Sequence, residues 1–415
     1  MWRRSLLILF VVLSIAVASA TLAYGVVVDG WFDSTDVTGS REGFQPEPVP
    51  PPAAERPTTD RSRNWWPEYG RTRRRTRASV ESTVVPPFER IWEVDAGSLV
   101  EFPPVIARDR LVVSTNRGLG LALDPKTGRE LWRIQLGART AASPGLFRDL
   151  AIFTTLKGEV IVVEAETGIV QWRYRTGSKI ESSPLITDGS VYFGTLDGRV
   201  IRLSLSTRRP VWVAQATGDV KAGLALNGDT VVVGDYNGRI SAYERSDGTL
   251  RWRTTSPGTT RAGAGRFYGG AGIAYGRAYI GNINGRVLAL DARTGEVAWV
   301  QVLDDFVYSS PAIADERIFV GSYDQNLYSL DAVTGKVAWK APAGERISGS
   351  PSVIGPNVYA STIAREPSEG RTFAVDRETG EEVWSFPDGR YSPAVVSGGL
   401  LIVTGVRTIY GFRSR

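Results

Sequence analysis

Tryptophan recurs through this chain at Trp92, Trp132, Trp172, Trp212, Trp252, Trp299, Trp339 and Trp384, at intervals of 40, 40, 40, 40, 47, 40 and 45 residues. A fixed period of that length marks a repeat architecture, either a solenoid or a propeller. The text between markers is of β type. In the unit that ends near Trp212, Asp188-Gly189 and Asp197-Gly198 are hairpin signals. They divide it into four runs, Leu185 to Thr187, Val191 to Gly194, Arg199 to Leu205 and Val211 to Ala214. A four-stranded meander of about 40 residues is a propeller blade.

Each tryptophan closes a second signature, DxxTGxxxW, as in "DPKTGRELW" (124–132), "EAETGIVQW" (164–172), "DARTGEVAW" (291–299), "DAVTGKVAW" (331–339) and "DRETGEEVW" (376–384). Weaker copies are "SLSTRRPVW" and "ERSDGTLRW". The signature falls on the turn between third and fourth strands. There Asp and Thr side chains can accept backbone N–H bonds, and Gly supplies a positive φ. The tryptophan then fills the gap between blades, so these eight residues are structural. The array opens on a lone fourth strand, "FERIWEVDAG", and closes on three strands without a fourth, "YSPAVVSGGLLIVTGVRTIYGFRSR". Joined, the two ends complete one blade. The expectation is an all-β, eight-bladed propeller over residues 89–415, closed by its N-terminal strand, which leaves no exposed array ends.

Upstream, Ser5 to Val28 carry no charge. As a helix these 24 residues would reach roughly 36 Å, against a hydrocarbon core of about 30 Å. Residues 1–28 therefore read as a signal-anchor transmembrane helix. The alternative is a signal peptide cut after Ala18-Ser19-Ala20, which would release a secreted protein. Arg3 and Arg4 on one flank, and Asp29, Asp33 and Asp36 on the other, place the short end inside and the propeller on the extracytoplasmic side. Residues 29–60 are a proline-rich linker. Residues 61–88 begin "RSRNWWPEYGRTRRRTR", with seven arginines against one glutamate in a chain whose net charge is +5. This basic aromatic lead-in could bind anionic headgroups or wall polymers. The alternative is a solvated segment whose aromatics dock on the propeller. The exported orientation argues against nucleic acid.

"LALDARTGEVAWV", with a Ser-Pro such as Ser183-Pro184, Ser310-Pro311 or Ser350-Pro351 opening the blade, resembles the pyrroloquinoline-quinone-type propeller repeat family. Its eight-bladed members include quinoprotein alcohol dehydrogenases and the outer-membrane barrel-assembly lipoprotein. The lead-in is similar to that family's usual entry, a Trp and a Tyr-Gly before Arg-Thr. The dehydrogenases carry a vicinal disulfide against the cofactor, and a calcium held by Glu, Asn and Asp. This chain has no Cys, so the first cannot form, and the lipidated Cys of the assembly lipoprotein is missing too. With no His either, imidazole chemistry is excluded. The resemblance implies a scaffold in which no residue is assigned to catalysis, to a cofactor or to a metal. A quinone-dependent oxidoreductase or a ligand-sensing ectodomain is the alternative.

A binding site is expected where loops enter the innermost strands, around the channel mouth. Three residues before the Ser-Pro column stand Glu101, Glu181, Lys221, Tyr308 and Arg390; five before it stand Arg139, Lys179, Asp219, Arg346 and Asp388. Equal strand parity puts both sets on one side, as a mixed-charge ring that is either a hydrated channel rim of ordinary ion pairs or a site for a small anionic or peptide ligand. The fifth unit adds seven residues within "SPGTTRAGAGRFYGGAG" (256–272). It lacks dinucleotide or P-loop spacing and reads as a lip carrying Arg261, Arg266, Phe267 and Tyr268 over the mouth, the alternative being a plain insertion. The expected partner is a protein or an envelope polymer, bound by a monomeric propeller.

Overall fold

The computed structural model describes residues 65–257, 265–363, 370–391 and 394–415. The anchor, the linker and Arg261 lie outside them. Among the described residues every element is a β-strand, so no helix is long and apolar enough to span a membrane. The strands form eight sheets. Seven are sequential antiparallel blades, numbered 1 to 7 from the one that starts at Val105. Blade 3 runs Leu185–Thr187, Ser190–Gly194, Arg199–Ser204 and Pro210–Gln215, within a residue of the runs expected at each end. Blade 8 is the composite one. Phe88–Asp95 pairs antiparallel with Thr408–Ser414, placing Trp92 opposite Gly411 and closing the ring.

The repeated turn works as a joint between blades. In blade 6, Asp331 Oδ1 accepts N–H bonds from Val333 (3.0 Å) and Thr334 (2.7 Å), and Gly335 takes φ 74°. The indole of Trp299, from blade 5, lies on that glycine. A Cβ added there would sit 2.6 Å from Trp299 Cδ2. Its Nε1–H donates to Ala332 O at 3.1 Å. The same ring-on-glycine contact recurs for Trp92 on Gly128, Trp132 on Gly168, Trp212 on Gly248, Trp252 on Gly295 and Trp339 on Gly380.

Two joints differ. Trp384 faces blade 8, where the chain ends instead of turning, and it packs among Phe88 (centroids 5.3 Å apart), Phe386 and Phe412. Trp172 faces the degenerate turn of blade 3, where Arg208 occupies the glycine position at φ 59°. An L side chain in that region costs on the order of 1 kcal/mol. Arg208→Gly is therefore expected to raise the unfolding free energy by about 1 kcal/mol. An unchanged denaturation midpoint would show that the arginine side chain already offsets the strain.

The lead-in is the main departure from expectation. Residues 66–79 run around the inside of the ring and cap the free edges of the short innermost strands. Trp66 exchanges backbone bonds with Ile106 in blade 1 (2.9 and 2.8 Å). Carbonyls of Pro67, Arg73, Arg74, Thr76 and Arg77 then accept from the N–H groups of Leu146, Leu226, Ile273, Ile313 and Val353 respectively. In blade 3 the Glu68 carboxylate takes this role toward Ile186 N–H at 3.4 Å. Ala78–Ser79 finally adds a parallel strand to blade 7. Such edges would otherwise leave buried polar groups without partners.

A solvated segment does not describe this belt. Its aromatics dock as expected, with Trp66 fully buried, but Arg75 and Arg77 are buried as well. Arg75 donates to Leu224 O (2.8 Å), Pro184 O (3.1 Å), Tyr69 O and the Glu68 carboxylate (3.2 Å). Arg77 donates to Pro351 O (2.8 Å) and Ser350 O (3.2 Å). These guanidiniums serve carbonyls at the entry of the innermost strands, which run-composition alone does not reveal.

Candidate functional site

The belt divides the central channel into two hollows. One opens toward the loops that enter the innermost strands and the hairpin loops between second and third strands. Its cavity is about 290 Å³ and its floor includes Tyr69 and Arg77 from the belt. The Tyr69 hydroxyl bonds Ser350 Oγ (2.8 Å) and Ser310 Oγ (3.2 Å), and Arg77 lies 4.5 Å from the ring centroid. Burial pushes this phenol up, but Arg77, the two serines and Arg75 outweigh it, so the group sits below the ordinary tyrosine value. The serines belong to the Ser-Pro column and also tie neighbouring blades, Ser350 Oγ accepting from Ser310 N–H at 2.8 Å and Ser310 Oγ from Gly270 N–H at 2.8 Å.

The two expected residue sets form separate tiers. The set three before Ser-Pro lines the cavity: Glu101, Glu181, Lys221 and Tyr308 are half-buried there, joined by Tyr268 and Ser348. Arg390 is half-buried beside Tyr391, 5.4 Å from its ring. The set five before stands on the outer rim, where Arg139, Lys179 and Arg346 are exposed. Asp388 is committed to structure, accepting from Tyr410 OH (2.7 Å) and Val406 N–H (3.0 Å). Between the tiers one residue turns into the core, and in the fifth unit it is Phe267, fully buried against Gly234. Phe267 is thus core and not lip, whereas Tyr268 lines the cavity and Arg266 is exposed, 5.9 Å from the Tyr236 ring.

Around the ring the mouth has two unlike halves. Glu101 and Glu181 stand on one side, with Lys221 in an ion pair to Glu181 (3.1 Å) and 4.8 Å from the Tyr236 ring. Burial, and then the neighbouring Glu181, push the Glu101 carboxyl up. The other half is aromatic: Tyr268 and Tyr308 lie 5.3 Å apart, Tyr308 and Tyr323 4.8 Å, and Phe306 packs 6.0 Å from Tyr308. Arg346 lies 5.7 Å from the Tyr323 ring. Burial raises the phenols of Tyr236, Tyr268, Tyr308 and Tyr323, so they stay neutral at physiological pH. Neutral phenols with apolar faces suit binding rather than proton transfer.

Tyr236, Phe306, Tyr323 and Tyr391 are site residues that a search for charged columns passes over. Tyr236 and Tyr323 occupy one repeat position, two after the second strand ("GDYNG", "GSYDQ"), and aligning that column across blades would expose them.

The fold and the two-sided mouth define an eight-bladed propeller of four-stranded blades, whose variable chemistry sits in channel loops. The chain belongs to the family described as outer membrane protein assembly factor BamB, whose model matches residues 88–155, 119–267 and 237–387. The crystal structure of BamB from Moraxella catarrhalis is similar over 79% of this chain and 99% of that one, at 16% identity and a TM-score of 0.67. The quinohemoprotein alcohol dehydrogenase of Comamonas testosteroni matches over 84% and 80%, at 14% identity and 0.70. The computationally designed Ika8 protein matches over 81% and 99%, at 14% identity and 0.65. At such identities these likenesses show the fold alone. A search of curated protein sequences gave no match.

The quinone cofactor implied by the dehydrogenase resemblance does not fit these residues. The cavity presents two carboxylates to a polyanionic ligand. Of its cations, Lys221 is engaged by Glu181, and Arg77 serves two backbone carbonyls through Nε and Nη2, while its Nη1 is buried without a hydrogen-bond partner.

Proposed function

We propose that this protein is an exported, membrane-anchored, non-catalytic scaffold that takes a segment of a protein partner into the mouth of its propeller. The observation that carries this reading is the aromatic half-ring of Tyr236, Tyr268, Phe306, Tyr308 and Tyr323, flanked by Arg266 and Arg346, above a cavity closed by the belt. Tyrosine and arginine around a partly desolvated pocket are the residue types that dominate protein–protein binding energy. The uncharged run 5–28 and the proline-rich tether support anchoring, and the family's description as an assembly factor is in keeping with a scaffold.

Tyr308→Ala and Tyr323→Ala are each expected to weaken partner binding by about 2 kcal/mol, roughly thirtyfold. Glu296→Ala, on a turn of the opposite face, should leave it unchanged. Affinity would be measured by titrating the full chain, in neutral detergent, with the partner recovered by cross-linking. Equal affinity for all three variants would refute the mouth as the site, and saturation by wall polymer alone would move the partner class from protein to polymer. In the same preparation, pyrroloquinoline quinone with calcium should leave the melting temperature unchanged, whereas a saturable rise would revive the oxidoreductase reading.

A further inference from the structure

The other hollow, on the far side of the belt, is larger and of opposite character. Its volume is about 600 Å³, and among its lining residues five are arginines and one is an acid. That acid, Glu68, is buried and paired with Arg75. Arg71 is spent on Ala78 O (2.7 Å) and Glu81 (2.5 Å). Arg73 is exposed at the belt surface, and the Arg148 guanidinium lies over the Phe147 ring at 5.3 Å. Arg108 meets Asp149 at 2.5 Å, but both side chains are more than half exposed, so water and salt weaken that pair. The hollow therefore presents a net positive surface with guanidinium groups available to a ligand.

Two of these arginines occupy positions that disfavour them. Arg108 (φ 48°) and Arg148 (φ 53°) sit in the hairpins between first and second strands of blades 1 and 2. The corresponding position is Gly228 (φ 55°) and Gly355 (φ 56°) in blades 4 and 7, and Asp188 (φ 50°), Tyr275 (φ 51°) and Asp315 (φ 45°) in blades 3, 5 and 6. A left-handed backbone is unfavourable for an arginine. Both arginines line the same hollow, beside the belt arginines.

Trp65 also lines this hollow, so the chain enters the propeller on this face. Residues 29–64 separate it from the end of the uncharged run at Val28. Arginine with tryptophan at the edge is the residue pairing of an anionic membrane interface.

We infer that the belt face of the propeller binds the phosphodiester headgroups of anionic lipids through Arg73, Arg108 and Arg148, holding the aromatic mouth away from the bilayer. This does not depend on the nature of the partner at the opposite mouth. Because the chain has no Cys, a single Asp109→Cys beside Arg108 can carry an environment-sensitive dye in the full chain held in neutral maltoside micelles. Dioctanoyl phosphatidylglycerol should shift the dye emission saturably, and dioctanoyl phosphatidylcholine should not. Arg73→Glu with Arg148→Glu should weaken the response at least about tenfold, as should salt raised to about 0.5 M. Both sites are exposed, and an unchanged melting temperature would confirm that the variant is folded. A response equal for both lipids, or one untouched by the double charge reversal, overturns the inference. Saturation by soluble polyphosphate without any response to phosphatidylglycerol would overturn the lipid as the source of the phosphate.

Discussion

Arg75→Leu is expected to destabilise the folded chain by about 3–5 kcal/mol, because it leaves the Glu68 carboxylate buried without its cation. Arg75 and Glu68 are 3.2 Å apart, and the remaining guanidinium nitrogens serve Leu224 O and Pro184 O. Burial already pushes the Glu68 carboxyl up and Arg75 down, so the pair is costly to hold and costlier to break. The folded state of Arg75→Leu should keep a proton on Glu68 over a wider range than the unfolded chain does. Its stability would then decline further as pH rises above the ordinary glutamate value of about 4.3. The double change Glu68→Leu, Arg75→Leu should recover much of the loss, since an apolar pair of similar volume avoids the desolvation penalty. Arg73→Leu, two residues away but exposed, should fall within about 0.5 kcal/mol of the parent. Chemical denaturation of the four proteins checks this series. A small effect for Arg75→Leu would mean that the belt is not integral to the ring.

The second large effect concerns the joint between blades. Gly335→Val should cost about 3 kcal/mol, combining a β-branched residue at positive φ with a Cβ driven into the Trp299 indole. Trp299→Ala should cost about 3–5 kcal/mol by emptying the same space. The two changes share one contact, so together they should cost less than their sum, by about 1 kcal/mol or more. Strict additivity would contradict the ring-on-glycine account of how one blade recognises the next.

The repeat made most of this fold legible. Eight tryptophans at near-constant spacing, hairpin dipeptides and two incomplete ends determine blade number, strand order and closure, because each blade contacts only its neighbours. The belt was not legible in the same way. Arg73, Arg74, Arg75 and Arg77 read alike in sequence, yet Arg75 and Arg77 are buried while Arg73 is exposed. What separates them is the position of carbonyls from Pro184, Leu224 and Pro351, more than a hundred residues away. The mouth was legible in part. Glu101, Glu181, Lys221 and Tyr308 emerge from a column counted back from Ser-Pro, since that column holds one place in every blade. Tyr236 and Tyr323 come from a different loop of the same blade, where their N–H groups bond Asp219 O and Phe306 O; their approach to Lys221 and Tyr308 is local to one repeat and shows only when that column is aligned across blades.

Site-specific photocross-linking in native membranes tests the central claim most directly, with a photoreactive residue placed in turn at Tyr308, Tyr323 and Glu296 of the full chain. The account predicts that Tyr308 and Tyr323 capture the same protein, that capture from either is lost when the other is changed to alanine, and that Glu296 captures nothing in common with them. Capture of that partner from Glu296, with none from the two tyrosines, would contradict it.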